Sequence, residues 1–132
     1  MKRLEGKVAI ITGGNSGVGA AAAKLFAREG AKVVISARRQ AQLDAVAEEI
    51  RQAGGEVLTV LTDISKEEDA NNLLAKTLET YGQVDILVNN AGVLEEGLKP
   101  IDRVDSGDID RLLNTNTKGT MYCMRAVSAE MA

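Results

Sequence analysis

Four short β-branched runs, each followed by a stretch of helical period, constrain the fold of this chain more than any other feature. The runs are residues 7–12 (KVAIIT), 32–37 (KVVISA), 56–62 (EVLTVLT) and 85–89 (DILVN). None alternates cleanly between polar and apolar positions, which is the pattern of strands buried on both faces. Between the runs, apolar positions recur at spacings of three and four. Residues 18–29 carry Ala21, Ala22, Leu25 and Phe26 on one stripe and stop at Gly30, a plausible C′ glycine. Residues 40–53 place Leu43, Val46, Ala47 and Ile50 together before Gly54 and Gly55. Residues 66–81 repeat the pattern with Ala70, Leu73, Leu74, Thr77 and Leu78 and end at Gly82. Ser65 and Glu68 have the S-x-x-E spacing of a capping box at the start of that helix. A last helical stretch runs from Ile109 to about Met131, and residues 93–107, with Gly97 and the single proline Pro100, read as a loop. The order β-α-β-α-β-α-β-α with right-handed crossovers predicts an α/β fold, a doubly wound parallel sheet with helices on both faces.

Composition narrows the function classes. A chain of 132 residues fits one compact domain, and 45% hydrophobic with 27% charged residues is the balance of a globular protein. A net charge of -3 gives no general attraction to nucleic acid. No apolar run approaches a membrane span, and the first seven residues, MKRLEGK, lack the apolar region of a signal peptide. Cys123 is the only cysteine, so no intrachain disulfide can form, and a reduced, cytoplasmic setting is expected. The absence of histidine removes Ser-His-Asp and Cys-His mechanisms and His-ligated metals; no metal site is expected. Cys123, flanked by Met121, Tyr122 and Met124, reads as a packed or interface residue, because no histidine exists to activate it.

The first strand runs into Thr12-Gly13-Gly14-Asn15-Ser16-Gly17-Val18-Gly19 and then a helix. A tight strand-to-helix turn wants a residue without a Cβ, here Gly13. Close approach of backbone to a pyrophosphate wants a second, Gly17, and close helix–strand packing a third, Gly19. The helix N-terminus adds unpaired N–H groups and a partial positive charge that suit an anion. The spacing is G-x-x-x-G-x-G, neither the G-x-G-x-x-G fingerprint nor a Walker pattern. A glycine-rich turn without a ligand is the plain alternative.

With these motifs the chain resembles the short-chain dehydrogenase/reductase family. Thr12-Gly13-x-x-x-Gly17-x-Gly19 looks like its cofactor loop, with Asn15, Ser16 and Val18 between the glycines. Asp63-Ile64 after the third run looks like its adenine-contacting acid, and Asn89-Asn90-Ala91-Gly92 after the fourth is similar to its NNAG motif. Asn116 sits where the family places the asparagine of its catalytic tetrad. Each also has a bland reading. Asp63 can cap a turn ahead of Ser65. Asn89 and Asn90 can be turn residues, and Asn116 an ordinary polar residue on a helix face.

The resemblance implies a Rossmann-like sheet of about four strands in the order 3-2-1-4, and a single NAD(P)-binding domain over residues 1–132. That domain is incomplete relative to the family. At the end of the second run, where dinucleotide folds place an acid on the ribose hydroxyls, the sequence reads Ser36-Ala37-Arg38-Arg39. The acid is absent, and two guanidinium groups stand where a 2′-phosphate needs partners. NADP(H) is therefore expected over NAD(H), with Ser36, Arg38 and Arg39 as contacts. Asn15-Ser16 lacks the basic residue that many NADP-preferring relatives place in the loop.

Hydride transfer to a carbonyl needs a proton donor for the developing alkoxide. The family supplies it from a Tyr-x-x-x-Lys pair with a serine. Here Asp85 follows Tyr81 by four residues and Ala126 follows Tyr122, so neither tyrosine fits. The resemblance therefore implies the cofactor-binding half of an oxidoreductase acting on an alcohol/carbonyl pair, inactive as these 132 residues alone. The alternative is a dinucleotide-binding module or truncated remnant acting through self-association. Homo-oligomers are expected through helices 66–81 and 109–131 or through the edge strand 85–89.

Overall fold

The computed structural model describes residues 2–92 and 100–131. Four parallel strands, β1 (Val8–Thr12), β2 (Lys32–Ala37), β3 (Val57–Leu61) and β4 (Ile86–Val88), form one sheet in the order β3-β2-β1-β4. Three helices connect them: α1 (Gly17–Arg28), α2 (Gln40–Gln52) and α3 (Glu67–Tyr81). The expected Rossmann-like topology is the observed one. Register runs Val8 opposite Lys32 to Thr12 opposite Ser36 on one side of β1, and Ala9 opposite Ile86 on the other.

Every residue of β1 is buried, which explains why its sequence does not alternate. Ile11, Val33 and Ile35 face one layer, where Leu43, Val46 and Ile50 of α2 and Ala20 and Ala23 of α1 cover them. Ile10, Val34 and Val60 face the other, beneath Leu73 of α3 and Val127 near the C-terminus. Gly30, Gly54 and Gly82 take positive φ just after α1, α2 and α3, where the sequence places the helix stops.

One expectation fails, for a local reason. The capping box does not form: α3 begins at Glu67 behind Lys66, with no side-chain cap. Ser65 instead donates its hydroxyl to Asp63 Oδ1 at 2.6 Å, and its N–H bonds the same oxygen at 3.0 Å. Both Ser65 donors are drawn to the carboxylate two residues back, which holds Ser65 in a turn one residue ahead of the N-cap position, where its oxygen would have to accept the Glu68 N–H. Glu67, Glu68 and Asp69 in the first turn answer the helix dipole instead.

The last helical stretch is present and unbroken from Ser106 to Met131, but its pitch changes along the way. After a 3₁₀ turn (Ile101–Arg103), α4 (Ser106–Leu112) starts behind Asp105, whose side chain accepts the Asp108 N–H at 2.8 Å. The chain then widens into π-helical turns over Leu113–Gly119 before α5 (Thr120–Met131). A Cβ on Gly119 would lie 2.8 Å from Ile64 Cγ1, so this segment passes the end of β3 at backbone distance. The loop expected over 93–107 is thus ordered from the 3₁₀ turn onward, and residues 93–99 lie outside those described.

Candidate functional site

The chain leaves β1 toward β2 and β3 on one side and returns to β4 on the other. That reversal opens a crevice beyond the carboxyl ends of the strands, the place where open α/β sheets bind ligands. A cleft of about 310 Å³ occupies it, within the range of small-molecule sites.

The glycine loop forms one wall. Gly13 has φ +67° and lies so close to the β4 loop that a Cβ would sit 3.0 Å from Ala91 Cα. A Cβ on Gly19 would collide with the Gly13 carbonyl, whereas Gly17, at φ +55°, has open space where a Cβ would be. The loop is pinned to β2 by Gly13 and Gly14 N–H groups, which donate to Ser36 O at 2.8 and 3.2 Å. Ser16 precedes α1 in extended backbone without a side-chain cap, and no acidic residue stands in the first turn. The first turn of α2 likewise has no acid, and Arg39 does not cap it through its side chain. Two helix N-termini therefore present bare N–H groups and positive dipole ends toward one cleft.

Of the expected site residues, Gly13, Asn15 and Ser16 line this cleft from the loop, and Ser36, Arg38 and Arg39 from the end of β2. Asp63 and Ile64 line it after β3, and Asn90, Ala91 and Gly92 after β4. The other five stand elsewhere. Thr12 is buried behind the cleft: its Oγ1 accepts the Asn90 and Ala91 N–H groups, each at 3.1 Å, and donates to Val88 O at 3.3 Å. Gly19 is buried in helix packing, Val18 is 78% exposed, and Gly17 lines the shallower groove between α1 and α2. Asn116 lies on the π-helical turns, with its Oδ1 3.2 Å from the Cβ position of Gly92. Its carbonyl accepts the Thr120 hydroxyl at 3.0 Å.

The cleft also takes in Ala37, Gln42, Thr62 and Thr115, which sequence reasoning did not single out. Thr62 and Ala37 could have been found by following the strand ends one residue each way. Thr115 adjoins Asn116 but reads as an ordinary helix residue, and Gln42 reads as a polar position on an exposed helix face.

Electrostatics follow the geometry. Partial burial pushes the Asp63 carboxyl up, but the hydrogen bonds from Ser65 and the charges of Arg38 and Lys66 outweigh it, and the net is below the ordinary carboxylate value. Asp63 is thus an anion across the cleft from Arg38. Ser36 Oγ is buried and has no hydrogen-bond partner. Such an orphan costs about 1–3 kcal/mol. Together with the open space above Gly17 and the bare helix ends, it fits a polar, phosphorylated ligand such as a nicotinamide dinucleotide.

Sheet order, glycine loop and switch-point cleft define a Rossmann-like protein. The chain belongs to the short-chain dehydrogenase family, whose model, described as "short chain dehydrogenase", matches residues 7–132. Tropinone reductase-like 1 of Erythroxylum coca is 48% identical over 120 residues, covering 89% of this chain and 43% of that protein. An uncharacterized oxidoreductase of Thermotoga maritima is 42% identical over 133 residues, covering 97% and 49%. A metagenomic short-chain oxidoreductase solved in complex with NADP superposes with a TM-score of 0.91 at 37% identity, covering 97% of this chain and 57% of that one. The chain spans about half the length of the relatives it matches.

Proposed function

We propose that these residues are the cofactor-binding part of an NADP(H)-preferring short-chain oxidoreductase that moves hydride between an alcohol and a carbonyl. The observation that carries this reading is the pair of bare helix ends, α1 and α2, flanking a cleft lined by Arg38 and Arg39. By contrast, α3 carries three acids in its first turn and α4 carries one. A dianionic 2′-phosphate on the ribose is the ligand group that two adjacent guanidinium groups favour.

In this reading Gly13, Asn15, Ser16 and Gly17 hold the pyrophosphate, with Val18 on the exposed edge of the turn. Thr12 and Gly19 fix the loop from behind. Ser36, Arg38 and Arg39 meet the 2′-phosphoribose, Asp63 and Ile64 the adenine, and Asn90 to Gly92 the adenosine side. When bound, the nicotinamide supplies or accepts the hydride. Asn116 anchors a water that passes protons toward a lysine lying outside these residues. The chain alone has no Tyr-x-x-x-Lys pair, so it binds nucleotide without turning substrate over. The lone, buried Cys123 accords with a reducing, cytoplasmic setting. No described helix is long and apolar enough to cross a membrane.

Thermal melting tests the cofactor claim. A ligand at 100 times its Kd stabilises the folded state by about 2.7 kcal/mol, so NADP⁺ should raise Tm more than NAD⁺ at equal concentration. Arg38→Ala should abolish the difference. Equal shifts in the unmodified chain would refute the NADP preference, and NADPH-dependent carbonyl reduction by the pure chain would refute its inactivity.

A further inference from the structure

Gln42 is one of four cleft residues, with Ala37, Thr62 and Thr115, that the reading above leaves without a role. It stands in the first turn of α2, four residues beyond Arg38, and it reaches across to the glycine loop. There the side-chain amide of Asn15 donates to Gln42 Oε1. This contact joins two segments 27 residues apart in sequence. Both residues line the switch-point cleft, and both also line the groove between α1 and α2. The paired amides therefore form the wall between the two concavities, on the side of the cleft where Arg38 and Arg39 stand.

From this placement we infer that Gln42 is a specificity-determining residue, the neutral third side of a bracket around the ribose 2′-phosphate. The inference rests on the nucleotide-binding reading and deepens it. The loop carries no cation of its own, because Asn15 and Ser16 occupy its middle. Arg38 and Arg39, after β2, supply the charge. Oε1 of Gln42 is taken by Asn15, so its Nε2 is left as a two-proton donor. Among the described residues that nitrogen has no acceptor. An amide donor held by a second amide meets a phosphate oxygen without the rotamer entropy a loose side chain would lose.

The bracket separates a bridging role from a ligand role. Gln42→Glu keeps an oxygen for Asn15 to bond, so the wall survives, but it replaces the donor with a carboxylate. A carboxylate facing a dianionic phosphate is repelled, whereas a ribose 2′-hydroxyl can donate to it.

The test is calorimetric titration of the 132-residue chain and its Gln42→Glu variant with adenosine 2′,5′-bisphosphate and with 5′-AMP. Circular dichroism of both proteins is recorded first to show that they are equally folded. Expected is a loss of about tenfold or more in affinity for the bisphosphate, with 5′-AMP unchanged or tighter. Equal loss for both ligands would show that Gln42 only props the loop, and no change in either would show that it does not meet the phosphate. Both results overturn the inference while leaving the nucleotide site in place. A folded unmodified chain that binds neither ligand would overturn the nucleotide-binding reading itself and the bracket with it. A second variant, Gln42→Leu, removes the bridge as well and should weaken both ligands.

Discussion

Thr12 sits behind the cleft with one hydroxyl serving three partners, the Asn90 and Ala91 N–H groups and the Val88 carbonyl. Asn90 returns the favour, donating its side-chain amide to Gly13 O at 3.1 Å. The glycine loop and the β4 loop are thus tied to each other by side chains that do not need a ligand to hold them. Thr12→Val keeps the volume but leaves the Ala91 N–H without its acceptor, while the Asn90 N–H keeps the Val88 carbonyl at 3.1 Å. A fully buried polar group so stranded costs about 1–3 kcal/mol; this one is partly buried, so the denaturation midpoint should fall by the lower end of that range. Thr12→Ser should restore most of the loss. A Val variant as stable as the unmodified chain would show that water serves this group equally well. The motif therefore includes residues that shape the site as well as residues that line it, a division that spacing alone does not reveal.

The strands and first three helices are held by elements whose sequence signals agree with one another. Asp85, at the entry to β4, accepts the Val8 N–H at 2.8 Å and the Gln83 amide at 2.7 Å. The backbone bond from Val8, with help from Gln83 and Lys7 against slight desolvation, holds its carboxyl below the ordinary value. Asp63 is depressed as well, chiefly because Ser65, Arg38 and Lys66 outweigh the upward push of burial. A carboxyl lowered in the folded state contributes stability that is fully present above its unfolded pKa, near 4, and is lost as pH falls through its folded value. Urea midpoints should therefore drop on the acid side of about pH 4, and Asp85→Asn should make that drop shallower. An unchanged slope in the variant would contradict this account of the β1–β4 junction.

The β-branched runs were legible because parallel strands buried on both faces must be apolar throughout, and the glycine stops because helix ends need positive φ. The capping box does not form because Asp63, two residues before Ser65, draws it into a turn and the helix starts one residue later, behind Lys66. The π-helical turns around Asn116 have no local signal in the sequence; they end at Gly119, whose close approach to Ile64 exists only once the fold has formed. The Asn15–Gln42 bridge was hidden for the same reason, since no local pattern marks two amides that meet across 27 positions.

At the scale of the molecule, the sheet ends at β4, whose far side pairs with no other strand among the described residues. On the helical side, Leu113, Met121, Met124 and Met131 are exposed at 43–63%. Both features favour association of the isolated chain, by strand pairing or through the α3–α5 face. Sedimentation at micromolar concentration should show dimers or larger species, and a sharp monomer would count against both routes.

The central claim is that the switch-point cleft, and no other surface, receives the dinucleotide. Amide chemical-shift mapping of the ¹⁵N-labelled chain during an NADP⁺ titration tests it most directly. The account predicts shifts concentrated at Gly13 to Gly17, Arg38 to Gln42, Asp63, Ile64, Ala91 and Gly92, with α3 and the far end of the sheet unmoved. Shifts confined to the outer face of α3 and α5, or none at saturating nucleotide, would contradict it.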